Sequence, residues 1–298
     1  MTPTNATRRI VAGAPAVLTW QATDSDGEPA DPGGTVTVTV TRSDGSAVLT
    51  DAATTGEGDA PRSVELTPTD TADLDLLTAV WSVDDVERGR TVTEVAGPPI
   101  ITYAQFVAAD TGQAAPPVPA FLAARDEVEA KFHRACARAL RPRFAVDRLT
   151  SISTRPRDVR TVWPDVRRIR RITTDDGAGA VTVWDDEALA ALVIDHGNGI
   201  IRHPSAPWPF HPNASIEVAY EYGLDAPPPD LRKAIAHAIA LEMKSGARVA
   251  NQGIATEIVQ ADGSRHRLPT PGLGHWVTGV AVIDEAVKAY VFTDWQAR

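Results

Sequence analysis

Residues 35–41 read Thr-Val-Thr-Val-Thr-Val-Thr, a strict period of two that no helix can use. In an extended chain this puts Val36, Val38 and Val40 on one face and the threonines on the other, which predicts a half-buried antiparallel strand. The same alternation recurs at Ala16 to Trp20, Val64 to Leu66, Leu77 to Val83 and Val92 to Val95, with turn signals at Asp26-Gly27, Pro32-Gly33-Gly34 and Asp44-Gly45. Short strands with frequent turns and no helix-period segment predict an all-β sandwich of immunoglobulin-like size over residues 1–97. The cysteine pair of antibody domains is absent, so patterning alone carries this reading. Gly97-Pro98-Pro99 closes the domain, because two prolines in series neither continue a ladder nor open a helix comfortably.

Charge divides the chain at the same place. Residues 1–100 hold 16 Asp/Glu and 6 Arg, a balance of −10 that equals the net charge of the whole chain. Within the neutral remainder, Lys131 to Arg171 concentrates 13 basic residues against Asp147, Asp158 and Asp165. The lone cysteine, Cys136, cannot form an internal disulfide and reads as a small buried hydrophobe suited to a reducing cytoplasm. No apolar run reaches the length of a membrane span, and the apolar patch after Arg8-Arg9 is too short for a signal peptide. A soluble protein with no membrane partner is the expectation.

Beyond Pro99 the period changes from two to three and four. Thr102 caps a short helix over Tyr103 to Ala108. A longer one runs from Ala120 to Leu140, with Phe121, Arg125, Val128, Phe132, Ala135 and Ala139 on one face and Pro142 after it. Strands are expected at 144–154, 159–163, 166–173, 181–184, 192–201 and 215–222. A helix follows Pro227-Pro228-Pro229-Asp230, a hairpin turns about Asp262-Gly263, and a last helix spans about 283–293. Residues 98–298 are therefore expected to form an α+β domain, helices framing a small antiparallel sheet.

Several segments carry a resemblance: Ile101-Thr-Tyr-Ala-Gln-Phe, Arg125-Asp-Glu-Val-Glu-Ala-Lys-Phe-His-Arg-Ala-Cys with Arg141-Pro-Arg, and Val218-Ala-Tyr-Glu-Tyr-Gly-Leu-Asp-Ala-Pro-Pro-Pro-Asp-Leu-Arg-Lys-Ala. With Ile254 to Leu268, Thr270-Pro-Gly and the run from Thr278 to Tyr290, their order resembles the head-to-tail adaptor (connector) proteins of long-tailed bacteriophages, particularly those of actinobacteria. The resemblance covers about residues 100–290 and leaves the first 97 as an addition. It implies a structural, non-enzymatic virion protein that assembles in the host cytoplasm. Such a protein forms a ring of copies, twelve by family expectation, on the portal in the neck, continues the DNA channel and receives the next neck or tail-terminator protein. The alternative is a bacterial surface or host-recognition module in which the acidic sandwich binds a glycan or protein.

The residues offer little chemistry of catalysis. His196, His203 and His211 lack ligand spacing and read as loop histidines, and His237 as a core histidine. Asp175-Asp176-Gly177 and Asp185-Asp186-Glu187 lack the alternating acids of a calcium loop and read as turns or a helix start. No metal, cofactor or catalytic residue is expected. Two binding candidates remain. Arg167, Arg168, Arg170 and Arg171, with Arg160, place guanidiniums on both faces of an expected strand: either a solvated edge, or a contact with packaged DNA or an acidic neighbouring subunit. In the segment 278–298, Ile283, Val287, Tyr290 and Val291 share a helical face and Phe292 and Trp295 add aromatic surface, the makings of a portal-docking element that orders on assembly.

Overall fold

The computed structural model describes residues 8–109, 114–149, 157–205, 207–208, 214–245, 257–259, 265–267 and 280–292. The first third is all strand: β1 (Arg8–Val11), β2 (Ala16–Trp20), β3 (Val36–Thr41), β4 (Ala47–Ala53), β5 (Arg62–Leu66), β6 (Asp75–Val83) and β7 (Val86–Ala96). Helices α1 (Tyr103–Ala108) and α2 (Val118–Cys136) follow, then β8 (Arg143–Leu149), β9 (Asp158–Arg160), β10 (Val166–Asp175) and β11 (Val181–Val183). The chain continues through α3 (Asp186–Ala190), β12 (Val193–Asp195), β13 (Ile200–Arg202), β14 (Ser215–Tyr222), α4 (Pro229–Ser245), β15 (Glu257–Val259), β16 (Arg265–Arg267) and α5 (Ala281–Tyr290). It is thus mostly β, with a few helices.

These elements form two compact units, one of residues 1–98 with 141–223 and one of 99–140 with 224–298. The first crossing falls between Pro98 and Pro99, and the middle strands β8 to β14 group with the N-terminal strands.

In the first unit a five-stranded sheet runs β1-β7-β6-β3-β4, with β1 parallel to β7 and the other pairs antiparallel, beside the two-stranded pair β2-β5. Alternation sets the faces: burial alternates residue by residue along β3 and along all of β6. Leu18 and Leu66 from the small pair join Val38, Val40, Leu77, Trp81 and Val95 from the large sheet in one core. Trp81, fully buried, stacks on Trp20 at 6.1 Å and places its indole N–H 3.3 Å from Thr91 Oγ1, which satisfies the one polar group it carries inside. The β6–β7 hairpin turns on Asp84 and Asp85, both at positive φ, as a two-residue primed turn requires.

The middle strands form a sheet of order β11-β10-β14-β8 and another of order β12-β13-β9. Every residue of β14 from Val218 to Tyr222 is buried. Trp163 stacks on Tyr222 at 5.7 Å, and Trp184 stacks on Trp208 at 5.0 Å with His203 edge-on to both.

The second unit is helical, with the short β15-β16 hairpin. Thr102 and Gln105 cap α1 reciprocally, and α2 starts with proline in its first turn and ends at Ala137 in the left-handed region. Phe106, Phe121, Val128, Phe132, Leu231, Ile235, Ile239, Ile283 and Val287 share one core. Lys131 Nζ lies 2.6 Å from Glu242 and ties α2 to α4, while the Tyr290 hydroxyl donates to Asp230 at 3.0 Å and ties α5 to α4. Among the described residues no helix is long and apolar enough to cross a membrane.

Candidate functional site

The arginine run lies on β10. A regular strand would alternate its side chains and send arginines to both faces. Here the register against β14 shifts twice, between Val166 and Arg168 and again between Ile169 and Arg171. Each shift inserts one extra residue, so Val166, Ile169 and Ile172, three apart in sequence, are all buried, with two arginines between each pair. The bulges turn an awkward sequence into an apolar side and a cationic side.

The cationic side meets carboxylates of the same unit. Arg167 Nη1 lies 3.0 Å from Glu221 and Arg170 Nη2 2.5 Å from the other oxygen of Glu221, whose side chain is 11% exposed. Arg170 also reaches Asp73 at 3.7 Å. Arg171 pairs with Glu217 at 3.0 Å and donates to the Ser43 carbonyl at 3.1 Å, so the run reaches the turn between β3 and β4 and the loop before β6. Arg168 is exposed and forms no ion pair among the described residues. Arg160, at the end of β9, faces Ile200 in the register of β13 and has an interaction partner of its own.

A second ionic cluster joins β7 to β8. Glu94, 1% exposed, receives Arg143 Nε at 2.8 Å and Nη2 at 2.6 Å, and Arg9 Nε at 3.1 Å. Burial pushes its carboxyl up. The hydrogen bond and charge of Arg143, then those of Arg9, more than reverse this, so it titrates below its ordinary value. Four residues along β8 from Arg143, buried Asp147 accepts from the Tyr220 hydroxyl at 2.6 Å and the Val162 N–H at 2.7 Å, with no cation among these partners. Burial therefore raises its carboxyl above the usual range, against those two hydrogen bonds, and pushes the Tyr220 hydroxyl up as well. Nothing in the residue pattern announced Glu94, Asp147, Glu217 or Glu221, because each acquires its role from a strand more than forty residues away.

The C-terminal candidates divide. Ile283 is 0% and Val287 2% exposed, packed with α2 and α4, so these two are core side chains rather than a presented surface. Tyr290 and Val291 are half-buried. The Phe292 N–H donates to the Cys136 carbonyl at 2.8 Å, which stitches the end of α5 to the end of α2. Trp295 lies outside the described residues, as do His211 and the turn at Asp262-Gly263. His196 Nδ1 lies 2.6 Å from the Val166 carbonyl, within the turn that joins β12 to β13. Asp185 caps α3 by accepting from the Ala188 N–H. Among the described residues no cluster of three or more metal-ligating side chains occurs.

Fold and site together define a β-rich, multi-domain protein whose most concentrated charge is wired into its own sheets. The chain is similar to one in the neck of an empty gene transfer agent (GTA) particle computed with C6 symmetry, at 17% identity and a TM-score of 0.43, over 65% of this chain and 90% of that one. A chain from the virion of the native GTA particle aligns at 15% identity with the same TM-score and coverage, and one from the native neck computed with C12 symmetry at 15% identity, 0.37, 59% and 81%. No family model matches, and no curated protein does.

Proposed function

We propose that the chain is a structural virion protein of the neck, which forms a ring between portal and tail, extends the DNA channel and receives the next neck protein. The observation that carries this reading is the way the resembling segments fold. The opening Ile101 to Phe106, the helix from Arg125 to Cys136, Leu231 to Ala234 and the closing Val282 to Tyr290 are far apart in sequence yet contribute to one core. The N-terminal addition is read as immunoglobulin-like: β2 with β5 facing β1-β7-β6-β3-β4, with β1 parallel to β7, supports it. Of the arginine run, Arg168 is the member left to meet DNA or a neighbour. Portal docking is assigned to Tyr290, Val291, Phe292 and the residues after them.

The experiment is binding of the full chain to purified portal assemblies from the same particle, followed by sedimentation and electron microscopy. A ring seated on the tail-facing end of the portal is the expected result. A chain that neither binds portal nor forms rings at any concentration overturns the proposal.

A further inference from the structure

The second unit holds a cavity of about 560 Å³ between α1 and the first turns of α4. Its lining is apolar at Ile101, Ala109 and Ala236 and cationic at Arg232 and Lys233, with Gln105 and His237 beside them. Arg232 and Lys233 form no ion pair among the described residues, although in the same unit Lys131 engages Glu127 and Glu242 and Arg125 engages Asp126. The first turn of α4 also carries Asp230, whose carboxylate accepts from the Tyr290 hydroxyl and offsets the partial positive charge of the helix end, so the cationic character of the groove comes from Arg232 and Lys233.

The complementary surface lies in the other unit of the same chain. The loop after β2 carries Asp24, Asp26, Glu28 and Asp31, and the loop before β5 carries Glu57 and Asp59, all of them exposed. The fold brings the two loops together. Gln21 Nε2 donates to the Asp59 carbonyl at 2.9 Å, and Arg62 Nη2 reaches both Asp31 and the Gly58 carbonyl at 3.2 Å. Asp24 fixes its own loop by accepting from the Asp26 and Glu28 N–H groups, so the carboxylates stand on a shaped turn. Arg62 neutralises Asp31, whereas Asp26, Glu28, Glu57 and Asp59 form no ion pair among the described residues.

We propose that this acidic loop pair of one copy docks on the basic groove between α1 and α4 of the next copy. The two surfaces differ, so the contact is head-to-tail and repeats from copy to copy, which is the form of interface that closes a ring when the rotation permits. Opposed patches of this kind set partner choice and register, and like charge placed in the same spot penalises wrong pairings. The inference rests on the ring reading and names the contact that would build the ring.

A zero-length carbodiimide cross-link tests it on the full chain. Equal amounts of unlabelled and ¹⁵N-labelled protein are assembled, treated, and the products read by mass spectrometry. Cross-links from Lys233 to Asp24, Asp26, Glu28, Glu57 or Asp59 should appear as mixed-isotope pairs, that is, between copies. The double variant Arg232→Glu with Lys233→Glu should weaken association about tenfold or more, and adding Asp26→Lys with Glu28→Lys should restore much of it. Rings that form without mixed-isotope links to Lys233, or that the charge reversal leaves intact, overturn this contact and leave the ring reading standing. A chain that stays monomeric with and without portal overturns both.

Discussion

Replacing Glu94 with glutamine keeps the shape of the side chain and removes its charge at a place where two guanidiniums converge. The Glu94 side chain is 2% exposed and that of Arg143 14%, while Arg9 is 36% exposed. The Arg9 contact is therefore discounted for solvent, and the weight falls on Arg143, left buried without its counter-charge. Breaking one side of a buried pair costs about 3–5 kcal/mol. For a unit of this size that lowers the melting temperature by about 6–20 °C. Because Glu94 titrates lower in the fold than in the unfolded chain, its contribution is complete above the unfolded value and is lost as pH falls through the folded one. The gap between wild type and Glu94→Gln should thus be full at neutral pH and close below about pH 4. Denaturant melts of both proteins across pH provide the assay, and Glu94→Met with Arg143→Met should recover most of the loss. A Glu94→Gln protein within about 0.5 kcal/mol of wild type at pH 7 would show that the Glu94–Arg143 pair contributes little to the fold.

Ile283→Ala should cost about 2–5 kcal/mol, and a chain truncated after Gly274 should lose the cooperative melt of the helical unit, because Ile283 and Val287 fill its core. Burial pushes the Cys136 thiol up to about 12, so a thiol reagent should label the native protein only as fast as it unfolds. Thr102→Ala should remove about 1 kcal/mol, read in the same denaturant melts, by opening the capping box of α1.

What the sequence disclosed was local. The alternation at Val36 to Val40 is the burial pattern of β3, and Thr102, Pro229 and the turn at 196–199 stand where their residue types predict ends and turns. What it concealed depends on partners far along the chain. The three-residue spacing of Val166, Ile169 and Ile172 makes sense only with two bulges against β14, and Glu221 and Glu217 that receive the arginines lie 46 to 54 residues later. The last helix has the strongest one-sided apolar pattern, equally suited to a docking surface or a core. The α2 and α4 surfaces that cover it decide for the core. Likewise the grouping of residues 141–223 with the N-terminal strands comes from contacts such as Arg143 to Glu94, which no local pattern signals.

The most direct test of the central claim is a symmetry-free cryo-electron microscopy reconstruction of the neck of the particle that contains this protein. A closed ring of copies of the 31.7 kDa chain between portal and tail, with the helical unit of every copy in the ring, is the expected result. Density for one or two isolated copies, or for the chain anywhere other than the neck, would contradict it.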